Sequence, residues 1–158
     1  MKCRFILIIG IVILFARCQY DPFADELTTV RPKIKDIIGT YIFEKQTLIN
    51  NLSNKQTDYS KITLKSDSTF LATHIPNFTG QAEFYYNGVV SAKGKWQIAT
   101  NGGVANASGG TDTVWGIDLD SLPVNLKHIE FLGKHPPYKL IVTYGDPDEG
   151  AVMIFRKQ

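Results

Sequence analysis

The chain has 158 residues, 44% of them hydrophobic and 20% charged, the balance of one ordinary globular domain rather than of a disordered or wholly membrane-embedded chain. Seventeen Lys and Arg stand against fifteen Asp and Glu, but Lys2, Arg4 and Arg17 lie in or beside an N-terminal segment expected to be removed, and without them fourteen basic residues face fifteen acidic ones. The positive surplus of a nucleic-acid binder is missing, and no nucleic-acid partner is expected.

Met1 to Arg4 carries two positive charges, and Phe5 to Ala16 is apolar without a break. Twelve residues at about 1.5 Å of helical rise reach about 18 Å, short of a hydrocarbon core of about 30 Å. Residues 1–17 therefore read as a signal peptide, with an uncleaved signal anchor as the alternative. Cys18 follows, and an apolar run ending at a cysteine resembles the lipobox of bacterial lipoproteins, although Arg17 stands where that pattern has a small residue. The resemblance implies lipid attachment at Cys18 and a membrane partner through that lipid. Gln19 after the cysteine implies, by similarity to Gram-negative lipoproteins, an outer-membrane location on either its periplasmic or its cell-surface side. Cleavage would remove Cys3 and leave a single cysteine, which excludes an internal disulfide. Residues 18–32 are polar and show neither helical nor strand period, so they read as a flexible tether. Residues 33–158 form the one folded domain.

Within that domain, Pro32 to Ile38 is bracketed by Pro32 and Gly39 and fits a single helical turn. A strand follows from Gly39, with Tyr41 and Phe43 on one face. Residues 50–58 are rich in Asn, Ser and Thr and read as loop. Ile62 to Phe70 alternates apolar and polar residues on both sides of Ser66-Asp67-Ser68, the pattern of an antiparallel hairpin whose second strand is expected to run to Ile75 and end at Pro76. Ala82 to Tyr86 and Val89 to Ile98 flank Asn87-Gly88, the dipeptide best suited to a type I′ turn, so a second hairpin is expected there. In its second strand Val90, Ala92, Gly94, Trp96 and Ile98 share the inward face. Residues 100–112 hold several glycines and no large side chain and read as a mobile loop. Strands are expected at Val114–Leu119, Leu126–Leu132, Tyr138–Tyr144 and Ala151–Lys157. The fold expected is all-β, an antiparallel up-and-down barrel of about eight to nine strands, because closure removes the exposed edges of an open sheet.

Few residues point to chemistry. No phosphate loop, Cys-x-x-Cys, His-Glu-x-x-His or Gly-x-Ser-x-Gly is present, so no catalytic residue, no cofactor and no enzyme activity is expected. His128 and Glu130 share a strand face, but Ile129 and Phe131 claim the interior, which places the pair on the solvated side and favours a surface histidine over a metal ligand. Asp146, Asp148 and Glu149 lie in a glycine- and proline-bounded run that turn chemistry explains without calcium. The aromatic set Tyr41, Phe43, Phe70, Trp96, Trp115 and Phe155 either lines a ligand cavity or fills the barrel, since eight strands leave room for little more than their own side chains.

Gly39-Thr40-Tyr41 after a short helical turn is similar to the Gly-x-Trp of lipocalins and fatty-acid-binding proteins. Ile154-Phe155-Arg156-Lys157 stands where those proteins end with an arginine packed over that ring. Leu64-Lys65-Ser66-Asp67-Ser68-Thr69-Phe70, Gly94-Lys95-Trp96 and Gly145-Asp146-Pro147-Asp148 are similar to segments of small lipocalin-like lipoproteins of Bacteroides-type bacteria. The resemblance implies a calycin-like barrel on a lipid anchor. The expected function is a non-enzymatic binding module for a small apolar ligand. The alternative is a module that binds or inhibits an envelope protein.

Overall fold

The computed structural model describes residues 21–49, 57, 59–80 and 83–158; the expected signal peptide and Cys18 lie outside them. Eight strands follow in chain order: β1 (Gly39–Gln46), β2 (Lys61–Leu64), β3 (Thr69–Thr79), β4 (Tyr85–Ala105), β5 (Thr111–Leu119), β6 (His128–Leu132), β7 (Lys139–Thr143) and β8 (Val152–Lys157). Each pairs antiparallel with the next, and β8 returns to β1 with Tyr41 opposite Lys157 and Gln46 opposite Met153. The ring is closed, so no described strand is left as a sheet edge. One helical turn, α1 (Ile34–Ile37), precedes β1, and another, α2 (Val124–Lys127), precedes β6.

Alternation sets the faces. Ile62 and Leu64 of β2 and Phe70 and Ala72 of β3 are buried, while Lys61 just before Ile62 and Leu71 between Phe70 and Ala72 face outward and are exposed. The inward residues form one cluster that runs from Ile37 through Tyr41, Phe70, Phe131 and Leu140 to Phe155. Each large side chain among them removes enough apolar surface from water to contribute roughly 1.5–3 kcal/mol. The Ser66-Asp67-Ser68 turn forms as expected. Asp67 Oδ1 accepts from the backbone N–H of Thr69 at 3.0 Å and from its hydroxyl at 2.6 Å, and Ser68 takes a φ of +62° to close the turn.

The second expected hairpin does not exist. Asn87-Gly88 lies inside β4, a single strand of 21 residues, and the barrel has eight strands, the lower end of the expected range. A reversal at 87–88 would have left the second half of β3 without its partner, since Ile75 pairs with Val90 and Thr79 with Tyr85. The positive φ of Gly88, +79°, instead accommodates one extra residue where Pro76 opposite Val89 gives way to Phe78 opposite Tyr86. Nor does Pro76 end β3. Beyond Thr73 the neighbouring β2 has finished, so β3 is paired on one side only, where a missing N–H is tolerated. Residues 100–112, read as a loop, are the far end of β4, a tight turn and the start of β5. Asn106 closes that turn, its Oδ1 accepting from Gly110 N at 2.8 Å and its Nδ2 donating to Asp112 at 2.8 Å.

The segment expected to be a free tether is docked from Asp21 onward. After a short 3-10 turn at Ala24–Glu26, Leu27 and Thr28 enter the seam between β5 and β6. Those strands pair with each other only from Gly116–Glu130 to Asp118–His128. Where they part, Thr28 N donates to Phe131 O at 2.9 Å, Trp115 N donates to Thr28 O at 2.9 Å, and Gly133 N donates to Glu26 O at 2.7 Å. Leu27 completes a second apolar cluster outside the barrel with Val114, Leu132, Ile141, Val152 and Ile154, against which Phe23 packs. This strap explains why β7 and β8 bury successive residues instead of alternate ones.

Candidate functional site

The six aromatic residues singled out from the sequence all face the interior cluster, but four of them are committed to packing. Tyr41 is fully buried and donates its hydroxyl to Ile37 O at 2.7 Å, which ties the first strand to α1. Above its ring, at 5.9 Å, stands Lys157 rather than the expected Arg156, and Lys157 in turn donates to Asp36 O at 2.7 Å. Phe70 and Phe155 are buried in the same cluster, and Trp96 donates its indole N–H to Lys65 O at 3.0 Å. These four close the interior. Phe43, edge-on to Phe155 at 5.9 Å, and Trp115, with the Arg31 guanidinium 5.2 Å from its ring centre, are half-buried.

In an up-and-down ring the β1–β2, β3–β4, β5–β6 and β7–β8 connections gather at one end. That end carries a different aromatic group. Phe78 at the end of β3 meets Tyr86 at 5.9 Å and Tyr144 at 5.8 Å, and Tyr144 meets Phe84 at 5.8 Å, all in edge-to-face arrangements. Leu48, Ile49, Phe84 and Tyr86 are only half-buried against the core, and so are Val90 and Ala92 farther along β4. The inner face of β4 carries small residues, with open space beside Gly88, while the space beside Gly94 is filled by Asp120, Ser121 and Phe70.

Tyr144 is the unusual member of this group. It is 4% exposed, yet its hydroxyl has no hydrogen-bond partner among the described residues. Burial pushes its phenol well above the ordinary tyrosine value, so the group stays neutral and keeps one donor and its acceptor capacity unspent. A buried hydroxyl left in this way costs about 1–3 kcal/mol unless something satisfies it. The arrangement suits an apolar guest with one polar group. Its geometry offers no nucleophile and base pair, and among the described residues no group of three or more His, Cys, Asp or Glu could hold a metal ion.

The pair His128 and Glu130 departs from its expected solvated setting. His128 is exposed and lies 2.6 Å from Asp118, but Glu130 is covered where the strap crosses β6. Its Oε2 has no accessible surface and no partner, and neither has Asn101 Nδ2. A Cβ on Gly116 would stand 2.9 Å from that amide and 3.0 Å from Glu130 Cα, so the glycine admits both groups. Burial, helped by the Asp21 charge, pushes the Glu130 carboxyl up to about 7 against the weaker opposing pull of its backbone hydrogen bond and of His128. Asp146, Asp148 and Glu149 behave as turn residues. Asp146 caps a short 3-10 turn by accepting from Asp148 N, and Gly150 exits at a φ of +62°.

The chain matches no family model, no curated protein and no solved structure. No helix among the described residues is long and apolar enough to cross a membrane.

Sequence reasoning missed Phe78, Phe84, Tyr86 and Tyr144 as a group because they come from two strands and two connections: Phe78 and Tyr86 meet through the β3–β4 register beyond Pro76, the expected end of β3, and Tyr144 joins them only when the ring closes. A usable signal was present in part. Phe84-Tyr85-Tyr86 and Tyr144 each fall beside a connection, where an up-and-down topology gathers residues at a barrel end.

Proposed function

We propose that the protein is a lipid-anchored β-barrel of the cell envelope, attached through Cys18 at the outer membrane, that works as a non-enzymatic binding module for a small apolar ligand carrying one polar group. The observation that carries this reading is the unpartnered Tyr144 hydroxyl among half-buried aromatic and aliphatic side chains at one barrel end. A charged segment followed by twelve apolar residues and a cysteine supports the anchor. The closed barrel, with a cation over Tyr41 just after a helical turn, agrees with the lipocalin-like resemblance read from the sequence. The ligand enters at the end of Phe84 and Tyr86, lies against Val90 and Ala92, and takes a hydrogen bond from Tyr144.

The test uses residues 21–158, which contain every described strand, the strap and both apolar clusters, titrated with palmitate and with dodecane in competition with a naphthalene-sulfonate dye. Saturable displacement by palmitate, weakened about two- to tenfold by Tyr144→Phe while dodecane is unaffected, is the expected result. No displacement by either compound removes the reading. For the anchor, a Cys18→Ser chain expressed in a Gram-negative host loses its acyl mass and its membrane association; if it stays membrane-bound, the anchor is misplaced.

A further inference from the structure

The outer face of β2, β3 and β4 carries a charge that the whole chain does not. Residues 59–105 contain Lys61, Lys65, Lys93 and Lys95 and only two acidic residues, Asp67 and Glu83, although acidic residues slightly outnumber basic ones from Asp21 to the end. All four lysines are exposed, and the ion pairs among the described residues, His128 with Asp118 and Lys139 with Glu44, involve none of them. Register fixes their layout. Thr69 stands opposite Lys95 and beside Lys65, Leu71 lies between Thr63 and Lys93, and Lys61 is opposite Thr73. Neighbouring strands are about 4.8 Å apart and successive outward residues about 6.7 Å, so the lysines surround Leu71 at roughly 5–10 Å intervals.

Two grooves lie on this face. One, of about 490 Å³, is lined by Lys65, Thr69, Leu71, Lys93 and Lys95. The other, of about 290 Å³, is lined by Tyr59, Ser60, Lys61, Thr73 and His74. They share strand β3, so an extended ligand can cross from one to the other. Four of the seven exposed large apolar side chains among the described residues, Tyr59, Leu71, Tyr85 and Val89, belong to the same face. Two carboxylates lie at its rim: Asp67 is spent on Thr69, whose two bonds hold it below the usual range, and Asp120 accepts from Ser121 and from Lys95 N, so it partly offsets the charge of Lys95.

We propose that the β2–β4 face binds an extended acidic polysaccharide, with Lys65, Lys93 and Lys95 against its anionic groups and Tyr59 and Leu71 against the apolar faces of its sugar rings. Lysine without arginine is the composition that protein–protein interfaces deplete, which disfavours a protein partner. A lipid surface fits less well, by an argument that rests on the anchor at Cys18. Two residues separate Cys18 from Asp21, so the three steps between them span about 11 Å at most. The chain reaches the barrel beside Gly150, where a Cβ would meet Pro22 at 3.2 Å, and over β6. That places the anchoring bilayer on the β6–β8 side, and in an eight-strand ring β3 lies across from β7.

The experiment measures the anisotropy of fluorophore-labelled polygalacturonate chains titrated with residues 21–158. Expected are saturable binding at low salt and roughly tenfold weakening for a fourfold rise in salt, the dependence of a few neutralised charges. The triple variant Lys65→Gln, Lys93→Gln, Lys95→Gln loses at least tenfold in affinity and most of the salt dependence. Lys33→Gln, Lys35→Gln, Lys45→Gln changes net charge equally at exposed positions elsewhere and stays within twofold of the parent. Absence of polygalacturonate binding, equal losses in the two triple variants, or binding to phosphatidylglycerol vesicles in its place would each overturn the proposal. None of these outcomes bears on palmitate displacement, so the two binding readings fail separately.

Discussion

Replacing Glu130 by Gln tests the physical account of the strap most directly. The side chain keeps its size and loses its titration. In the folded chain the carboxyl is raised from 4.5 to about 7, so over that interval the native state holds a proton that the unfolded state has released. Stability therefore falls as pH rises from about 4.5 to about 7 and is flat on either side of that window. A shift of this size corresponds to about 3 kcal/mol, at 1.36 kcal/mol per pH unit. The assay is urea unfolding of residues 21–158 and of its Glu130→Gln variant at pH 4.5, 6, 7 and 8. With a slope of about 1–3 kcal/mol per molar urea, the parent midpoint drops by roughly 1–3 M relative to the variant across the series, while the two agree near pH 4.5. Comparing the pair cancels every other titrating group. Parallel curves at all four values would show that Glu130 is solvated in the folded chain and that the strap does not cover it.

Four further outcomes follow from individual contacts. Tyr144→Phe removes an unsatisfied buried hydroxyl and raises the stability of the ligand-free protein by about 1–2 kcal/mol, read by thermal unfolding. Phe131→Ala leaves a cavity beside Tyr138, whose ring lies 5.8 Å away, and costs about 3–5 kcal/mol in chemical denaturation. Leu27→Asp puts a charge into the outer cluster and undocks the strap, seen as rapid amide exchange at Trp115 and Gly133, which otherwise bond to Thr28 and Glu26, with β1–β4 still protected. Ser68→Gly relieves a left-handed backbone held by a residue with a Cβ and raises the melting temperature by a few degrees.

Much of the barrel can be read from alternation because most inward positions meet a single hydrophobic interior and their neighbours meet water. Ile62, Leu64, Phe70 and Trp96 obey that rule. It fails where a strand is long enough to carry an irregularity. Asn87-Gly88 has the composition of a turn, yet its local preference is met equally well by an extra residue inside β4, and the decision belongs to the unpaired half of β3. Residues 100–112 lack large side chains because they form a narrow hairpin, not because they are unpaired. Leu140-Ile141-Val142 and Val152 to Phe155 are apolar at consecutive positions, which a strand with one wet face does not need, and that run was the readable sign of a covering segment. The candidate site was the least legible part. Tyr144 is about sixty positions from Phe78 and Phe84 and meets them only through ring closure.

The strap also constrains when the chain can fold. Thr28 is made early, but its partners Phe131 and Gly133 come more than a hundred positions later, and Tyr41 waits for Lys157. β1 lacks its second partner until β8 is made, so the ring closes only with the C-terminal strand. Such non-local pairing makes folding slow. That delay leaves the first strand half-paired until the last residues are made.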